Sequence, residues 1–151
     1  MTGHRNSQLL ELTRDECLAL LRGNRYLGRI GYVVDGVPVI VPVNFVLDDE
    51  SVVFSTNQGS KLSWLGNHSR VAFQVDQGRP FDESGWSVLV RGTAQEVTDQ
   101  AEVRALRRGP RSWATAPATE HWVRITIEEI SGRQLEHGSR APRVPAAPDA
   151  S

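Results

Sequence analysis

Two residues, Asp35-Gly36, separate one apolar, β-branched run, Leu27 to Val34, from a second, Val37 to Leu47. An Asp-Gly pair between two such runs is a strong hairpin signal, because the two-residue type I′ turn needs positive φ at both central positions. The middle of the chain is thereby committed to antiparallel β-structure. Pro38 and Pro42 lie inside the second run, where they have no N–H for a ladder, so they mark an edge, a bulge or a bend.

The flanking segments extend this pattern. Thr13-Arg14-Asp15-Glu16 fits a capping box, Thr at the N-cap and Glu at N3. The helix it opens carries an apolar stripe of Cys17, Leu18, Leu20 and Leu21 and ends at Gly23-Asn24. After a turn at Asp48-Asp49-Glu50, Ser51 to Thr56 reads as a third strand. Asn57 to Ser60 is a loop into a short helix, Lys61 to Asn67. Val71 to Asp76 alternates as a fourth strand, and Gln77 to Ser84 is a polar surface loop. Trp86 to Val97 is a long fifth strand, with Gly92 as a bulge or close-approach point. Asp99 caps a helix over Ala101 to Arg107, which Gly109-Pro110 breaks, and His121 to Ile127 is a sixth strand. Six strands joined mostly as hairpins, with only short helices, predict a mainly β fold: a closed or nearly closed six-stranded antiparallel barrel. The expected layout is a flexible segment over residues 1–11, one domain over 12–137, and a disordered tail over 138–151 that is rich in Pro and Ala.

Several function classes fall away. The chain has 17 basic and 18 acidic residues, so it lacks the field that draws a protein to nucleic acid or anionic lipid. No apolar run approaches the roughly 20 residues that cross a bilayer. A single cysteine, Cys17, permits no intrachain disulfide, and a cytoplasmic protein is the expectation. His4, His68, His121 and His137 have no metal-ligand spacing. There is no G-x-S-x-G elbow and no P-loop. Glu128-Glu129 reads as a solvated strand end, and Arg104, Arg107, Arg108 and Arg111 as a solvated helix face.

Two segments could carry chemistry. In Phe54-Ser55-Thr56-Asn57-Gln58-Gly59-Ser60-Lys61-Leu62 a strand ends in hydroxyl and amide side chains, a glycine bends the loop, and Ser60-Lys61 opens a helix. Hydroxyls, free N–H groups and a cation together suit a phosphate monoester. Lys61 is the one lysine among the 17 basic residues. On local grounds alone, a plain turn with Ser60 as helix cap accounts for these residues slightly better. The second segment, Gly85-Trp86-Ser87, could stack on a planar ligand or line a subunit interface, although core packing explains Trp86 more simply. Trp64, Trp113 and Trp122 admit the same two readings.

The ordered set resembles a known family. Tyr26-Leu27-Gly28-Arg29-Ile30-Gly31, Pro42-Val43-Asn44-Phe45-Val46, Phe54-Ser55-Thr56, Gly59-Ser60-Lys61-Leu62, Gly85-Trp86-Ser87-Val88, Trp122-Val123-Arg124-Ile125 and Ile130-Ser131-Gly132-Arg133 follow one another as in short members of the pyridoxamine 5'-phosphate oxidase-like, FMN-binding split-barrel superfamily. The resemblance covers about Leu12 to Leu135. It implies a homodimer with FMN at the subunit interface and a small-molecule redox substrate. Thr56, Ser60 and Lys61, with Ser55 and Leu62 beside them, would hold the phosphate. Pro42, Val43 and Asn44 would lie along the isoalloxazine. Trp86 and Ser87 would reach the flavin bound by the other protomer, and Trp122 would contribute from the last strand. No catalytic side chain is assigned.

Pyridoxamine phosphate oxidases themselves are longer and carry a C-terminal Arg-rich substrate motif. Here Gly132-Arg133-Gln134-Leu135-Glu136-His137 leads into the loose tail, so synthesis of pyridoxal phosphate is not expected. Similar short proteins use the deazaflavin F420, whose polyglutamate tail Arg22, Arg25 and Arg29 could meet; a non-catalytic flavin- or haem-binding protein is the third alternative. The phosphate assignment has a direct consequence. Lys61→Ala should weaken FMN binding by about 1.5–3 kcal/mol, the worth of a charge-assisted hydrogen bond, and leave the fold intact. Equilibrium dialysis of FMN against both proteins checks it, and equal affinities would remove Lys61 from the phosphate site.

Overall fold

The computed structural model describes residues 7–23, 27–56, 69–79, 84–108 and 121–137. The elements run β1 (Ser7–Leu12), α1 (Arg14–Arg22), β2 (Leu27–Val34), β3 (Val37–Asp48), β4 (Ser51–Thr56), β5 (Ser69–Arg79), β6 (Ser84–Val97), α2 (Gln100–Arg107) and β7 (His121–His137). The sheet order is β1-β7-β4-β3-β2-β5-β6, and an additional β6–β7 pairing joins its ends. Six strands, β2 to β7, therefore close into a ring of antiparallel neighbours. The seventh, β1, pairs with the far half of β7, Ser7 opposite His137 through Leu12 opposite Gly132.

Local chemistry fixes the elements where it was expected to. Asp35 and Gly36 have φ of 50° and 78°, as the type I′ turn demands, and Val34 pairs with Val37 across it. Thr13 Oγ1 accepts from the Glu16 N–H at 3.2 Å, while Glu16 Oε1 accepts from the Thr13 N–H at 3.0 Å, completing the capping box of α1. Asp99 caps α2 by accepting from the N–H groups of Ala101 and Glu102.

The barrel interior is filled by alternate residues of its strands. Ile30, Phe45, Val52, Phe54, Phe73, Val90, Val123 and Ile125 are buried in one cluster, with Phe45 and Phe73 meeting edge to face at 4.9 Å. Cys17, Leu20 and Leu21 of α1 join this cluster and seal one end. Burial raises the thiol pKa of Cys17, with the Glu16 carboxylate adding to the rise. Each fully buried side chain of this kind contributes about 1.5–3 kcal/mol. The exposed ion pairs, such as Arg14–Glu50 at 3.5 Å, are worth roughly 0–1 kcal/mol. The interior decides the fold.

Three expectations change. Residues from Ser7 onward form a strand and not a flexible segment, because the second half of β7 offers them a full row of backbone partners. The polar loop expected over Gln77 to Ser84 is narrower, since pairing continues to Gly78 opposite Gly85 and Arg79 opposite Ser84. The last strand does not stop at Ile127 but runs to His137, so Glu128-Glu129 lies mid-strand. The cause is a bulge: Arg91 pairs with Glu129 but Gly92 with Ile127, leaving Glu128 as an extra residue. The bulge resets the alternation, so that Ile125 and Ile127 face in before it and Ile130 and Gly132 after it. Residues 1–6, the helix expected at Lys61 to Asn67 and the tail over 138–151 lie outside the described residues.

Gly92 makes the bulge possible. A Cβ there would run into the backbone carbonyl oxygen of Thr126 on β7, which no rotamer change can relieve. Gly92→Ala should therefore cost about 1–3 kcal/mol or more, the range for forcing extra atoms into a packed site. Urea unfolding checks it, and an unchanged midpoint would show that the β6–β7 contact opens freely.

Candidate functional site

Among the described residues the ring leaves an edge of β3 open. Counting from the Val34–Val37 closure, the odd-numbered residues of β3 exchange backbone hydrogen bonds with β2, so even-numbered ones direct their N–H and C=O toward β4. Pairing with β4 runs from Asp48 opposite Ser51 only as far as Phe45 opposite Phe54. The carbonyls of Pro38, Ile40 and Pro42, and the N–H of Ile40, thus face an edge with no ladder partner among the described residues. Pro38 and Pro42 sit where their missing N–H costs nothing to the β2 ladder. Of the edge, bulge or bend that these prolines admitted, the edge is present.

The side chains of the same residues point out of the barrel. Ile30, Phe45 and Phe73 fix the inward parity, so Leu27, Arg29, Gly31 and Val33 of β2, Pro38, Ile40, Pro42 and Asn44 of β3, and Ala72 and Gln74 of β5 share the outer face. Ile40 is 72% exposed, and Val33 and Leu27 are also exposed. A cleft of about 640 Å³ opens on this face, with Gly31, Val33, Pro38, Ile40 and Ala72 as its apolar lining. Two ion pairs border it, Arg70–Glu128 at 3.7 Å and Arg91–Glu129 at 3.3 Å. The bulge puts Glu128 there, where it also accepts from Thr93 Oγ1 at 2.5 Å.

The structure sorts the residues singled out from the sequence. Pro42 and Asn44 lie on the outer face in line with the cleft, while Val43 turns inward and packs against the core. Ser55 and Thr56 end β4, opposite Trp122 and His121. Ser60, Lys61 and Leu62 lie outside the described residues. Ser87 is on the outer face of β6, opposite Asp76 and Arg133, whereas Trp86 turns inward and packs against the barrel core. Trp122 is 9% exposed in a small cluster with Val53, Val97 and Val103, beneath α2. Its indole N–H is buried and has no hydrogen-bond partner among the described residues. Of the arginines, Arg22 donates to the Asp49 carbonyl at 3.5 Å and Arg29 pairs with Asp76 at 3.0 Å. Among the described residues no cluster of three or more His, Cys, Asp or Glu could hold a metal, and no helix is long and apolar enough to cross a membrane.

Comparison with known proteins gives this geometry a context. The family model described as pyridoxamine 5'-phosphate oxidase matches residues 13–134. The chain belongs to the pyridoxamine 5'-phosphate oxidase family. An uncharacterised protein of Mycobacterium tuberculosis is 32% identical over 140 residues, covering 89% of this chain and 91% of its own. Among solved structures, a FAD-binding protein from Mycobacterium smegmatis is similar with a TM-score of 0.73 and 38% identity, over 85% of this chain and 100% of that one. A FAD-binding protein from Mesorhizobium loti gives a TM-score of 0.70 and 26% identity, over 85% and 99% of the two chains. The split-barrel architecture expected from the family is the one observed, with β1 as an added strand.

Two features of this region were not singled out in the sequence. Ile40, the most exposed of the large apolar residues on this face, was one member of an apolar run, and periodicity cannot tell which side of a strand stays uncovered. His121 and Glu96 form a contact at 2.8 Å between residues 25 apart in sequence, and no local spacing signals it.

Proposed function

We propose that the protein binds a flavin nucleotide, FMN in the first instance, at the interface of a homodimer, and carries out two-electron redox chemistry on a small molecule. The observation that carries this reading is the family match over residues 13–134, joined to an outer face suited to a flat ring. A volume of about 640 Å³ falls within the roughly 300–1,000 Å³ of ligand pockets. The donor set fits a flavin. Val33, Pro38, Ile40 and Pro42 supply an apolar wall, the open edge of β3 supplies main-chain polar groups, and the Thr56 end of β4 supplies a hydroxyl for the phosphate.

The bound flavin would supply the redox chemistry at its ring. The chain's own part is placement: β3 aligns the ring edge, Asn44 and Ser55 offer side-chain hydrogen bonds beside it, and the partner protomer covers it from water. Leu27, Val33, Pro38, Ile40 and Pro42 form an apolar face rimmed by the pairs Arg29–Asp76 and Arg91–Glu129, the composition of a subunit contact. The localisation consistent with this chemistry is the cytoplasm. FAD is the second reading, favoured by the 38% identical FAD-binding protein.

Absorbance spectra of the purified protein, taken after incubation with FMN, FAD or F420 and gel filtration, test the cofactor. Retention of the two-band FMN spectrum is expected. Retention of FAD alone would support the second reading, F420 alone would move the protein to deazaflavin chemistry, and retention of none would overturn the proposal. The dimer has its own test. Ile40→Asp places a charge in the apolar face and should convert a dimer to monomer in sedimentation velocity, with flavin retention falling alongside. A wild-type monomer, or a variant that stays dimeric, would show that this face is not the contact.

A further inference from the structure

At the barrel end opposite α1, three strands bring together a hydroxyl, an imidazole and a carboxylate. Thr56 closes β4 directly opposite His121, which opens β7. The His121 ring Nδ1 lies 2.8 Å from Oε1 of Glu96 on β6, and both side chains are 39% exposed, half-buried at the rim. The parities of β4, β6 and β7 turn all three side chains toward the same inward side. Neither His121 nor Glu96 belongs to the hydrophobic clusters that hold the fold.

An ionised carboxylate only accepts hydrogen bonds, so the nitrogen facing Glu96 is the one that carries a proton. Glu96 therefore fixes the orientation of the ring and holds a proton on Nδ1, and leaves Nε2 on the ring's other side. A protonated imidazole balanced by one carboxylate is a donor on Nε2 with its positive charge locally compensated, a form well suited to an anionic oxygen. Two candidate ligands are too few for a metal site, which takes three or four.

We propose that His121, held in place by Glu96, contacts the phosphate of the bound flavin nucleotide at the Thr56 end of the barrel. This rests on the flavin reading above. Glu96 is a positioning residue, acting through the imidazole. The pair makes the site selective for phosphorylated flavins over riboflavin, adding to any cation supplied from elsewhere.

The test compares wild type, His121→Gln and Glu96→Gln as full-length proteins, with flavin fluorescence quenching used to titrate FMN, FAD and riboflavin. Wild type is expected to prefer the phosphorylated flavins. His121→Gln should lose about tenfold or more in affinity for them, the scale of a charge-assisted hydrogen bond, and Glu96→Gln a smaller factor, with riboflavin affinity unchanged in both. Circular dichroism melts verify folding, and Glu96→Gln, nearly isosteric, serves alone if His121→Gln does not fold. Loss of FMN and riboflavin affinity in equal measure would make the pair structural and overturn the proposal. A wild-type preference that both variants retain would overturn it while leaving the flavin reading intact. Equal wild-type affinity for riboflavin and FMN would overturn the phosphate contact itself, and failure to bind any flavin would remove the reading beneath it.

Discussion

The 17-residue strand β7 pairs with three other strands, and the remaining architecture hangs on it. Its first half pairs with β4 on one side and β6 on the other; its second half continues along β6 and takes β1 on the side β4 has left. Without the β6–β7 ladder the sheet would be open, with edge strands exposed at both ends. The ladder can follow the curve of a closed ring because one extra residue, Glu128, is inserted at Gly92, where only a glycine lets the backbones approach. The position of β1 then determines that of α1. Thr13 alone separates the two, so once β1 is paired the helix begins at the barrel mouth, and Cys17 comes to rest against Gly132, where a Cβ would stand 2.7 Å from its sulfur.

The same closure divides the labour between the two faces of the sheet. Apolar side chains inside the ring supply nearly all of the burial, and among the described residues no polar or charged residue is buried. Stability therefore asks little of the outer face of β2, β3 and β5. The ion pairs Arg70–Glu128 and Arg91–Glu129, each worth at most about 1 kcal/mol, stand at the borders of the cleft and contribute more to its shape and charge pattern than to folding. Exposed Ile40 and Val33 have no role in the interior and leave an apolar surface uncovered on one chain.

How much of this was legible in the sequence follows from how local each determinant is. The Asp35-Gly36 turn, the Thr13–Glu16 box and the Asp99 cap are written within four residues, and each forms as read. Gly92 was readable as an irregularity, but its partner at the bulge was not, and so the alternation seemed to end at Ile127 when it had only changed phase. Ser7 to Leu12 carries no strong pattern because a neighbour distant in sequence organises it. The candidate site was less legible than the fold. Pro42 and Asn44, taken from the family resemblance, lie on the outer face, yet Val43 and Trp86 from the same resemblance turn inward, which segment motifs do not resolve. Trp122 was read as a possible ligand contact; the small core beneath α2 that holds it, with Val53 and Val97 beside it, exists only after β4, β6 and β7 have met.

The open edge of β3 shows how one sequence choice serves folding and recognition together. A strand left unpaired over several residues invites another strand to add to it. Proline at 38 and 42 prevents that, since two of the outward positions cannot donate. What remains on the edge is a row of carbonyl acceptors at Pro38, Ile40 and Pro42 with one intervening donor, the Ile40 N–H. An added strand needs donors and acceptors in regular alternation and finds too few donors here. A small planar ring with an N–H flanked by carbonyls needs only one donor and one or two acceptors, spaced over a few ångströms. The prolines thus reject the strand and leave the ring admissible, while the apolar outer side chains of the same residues form the kind of surface against which the proposed ring would lie.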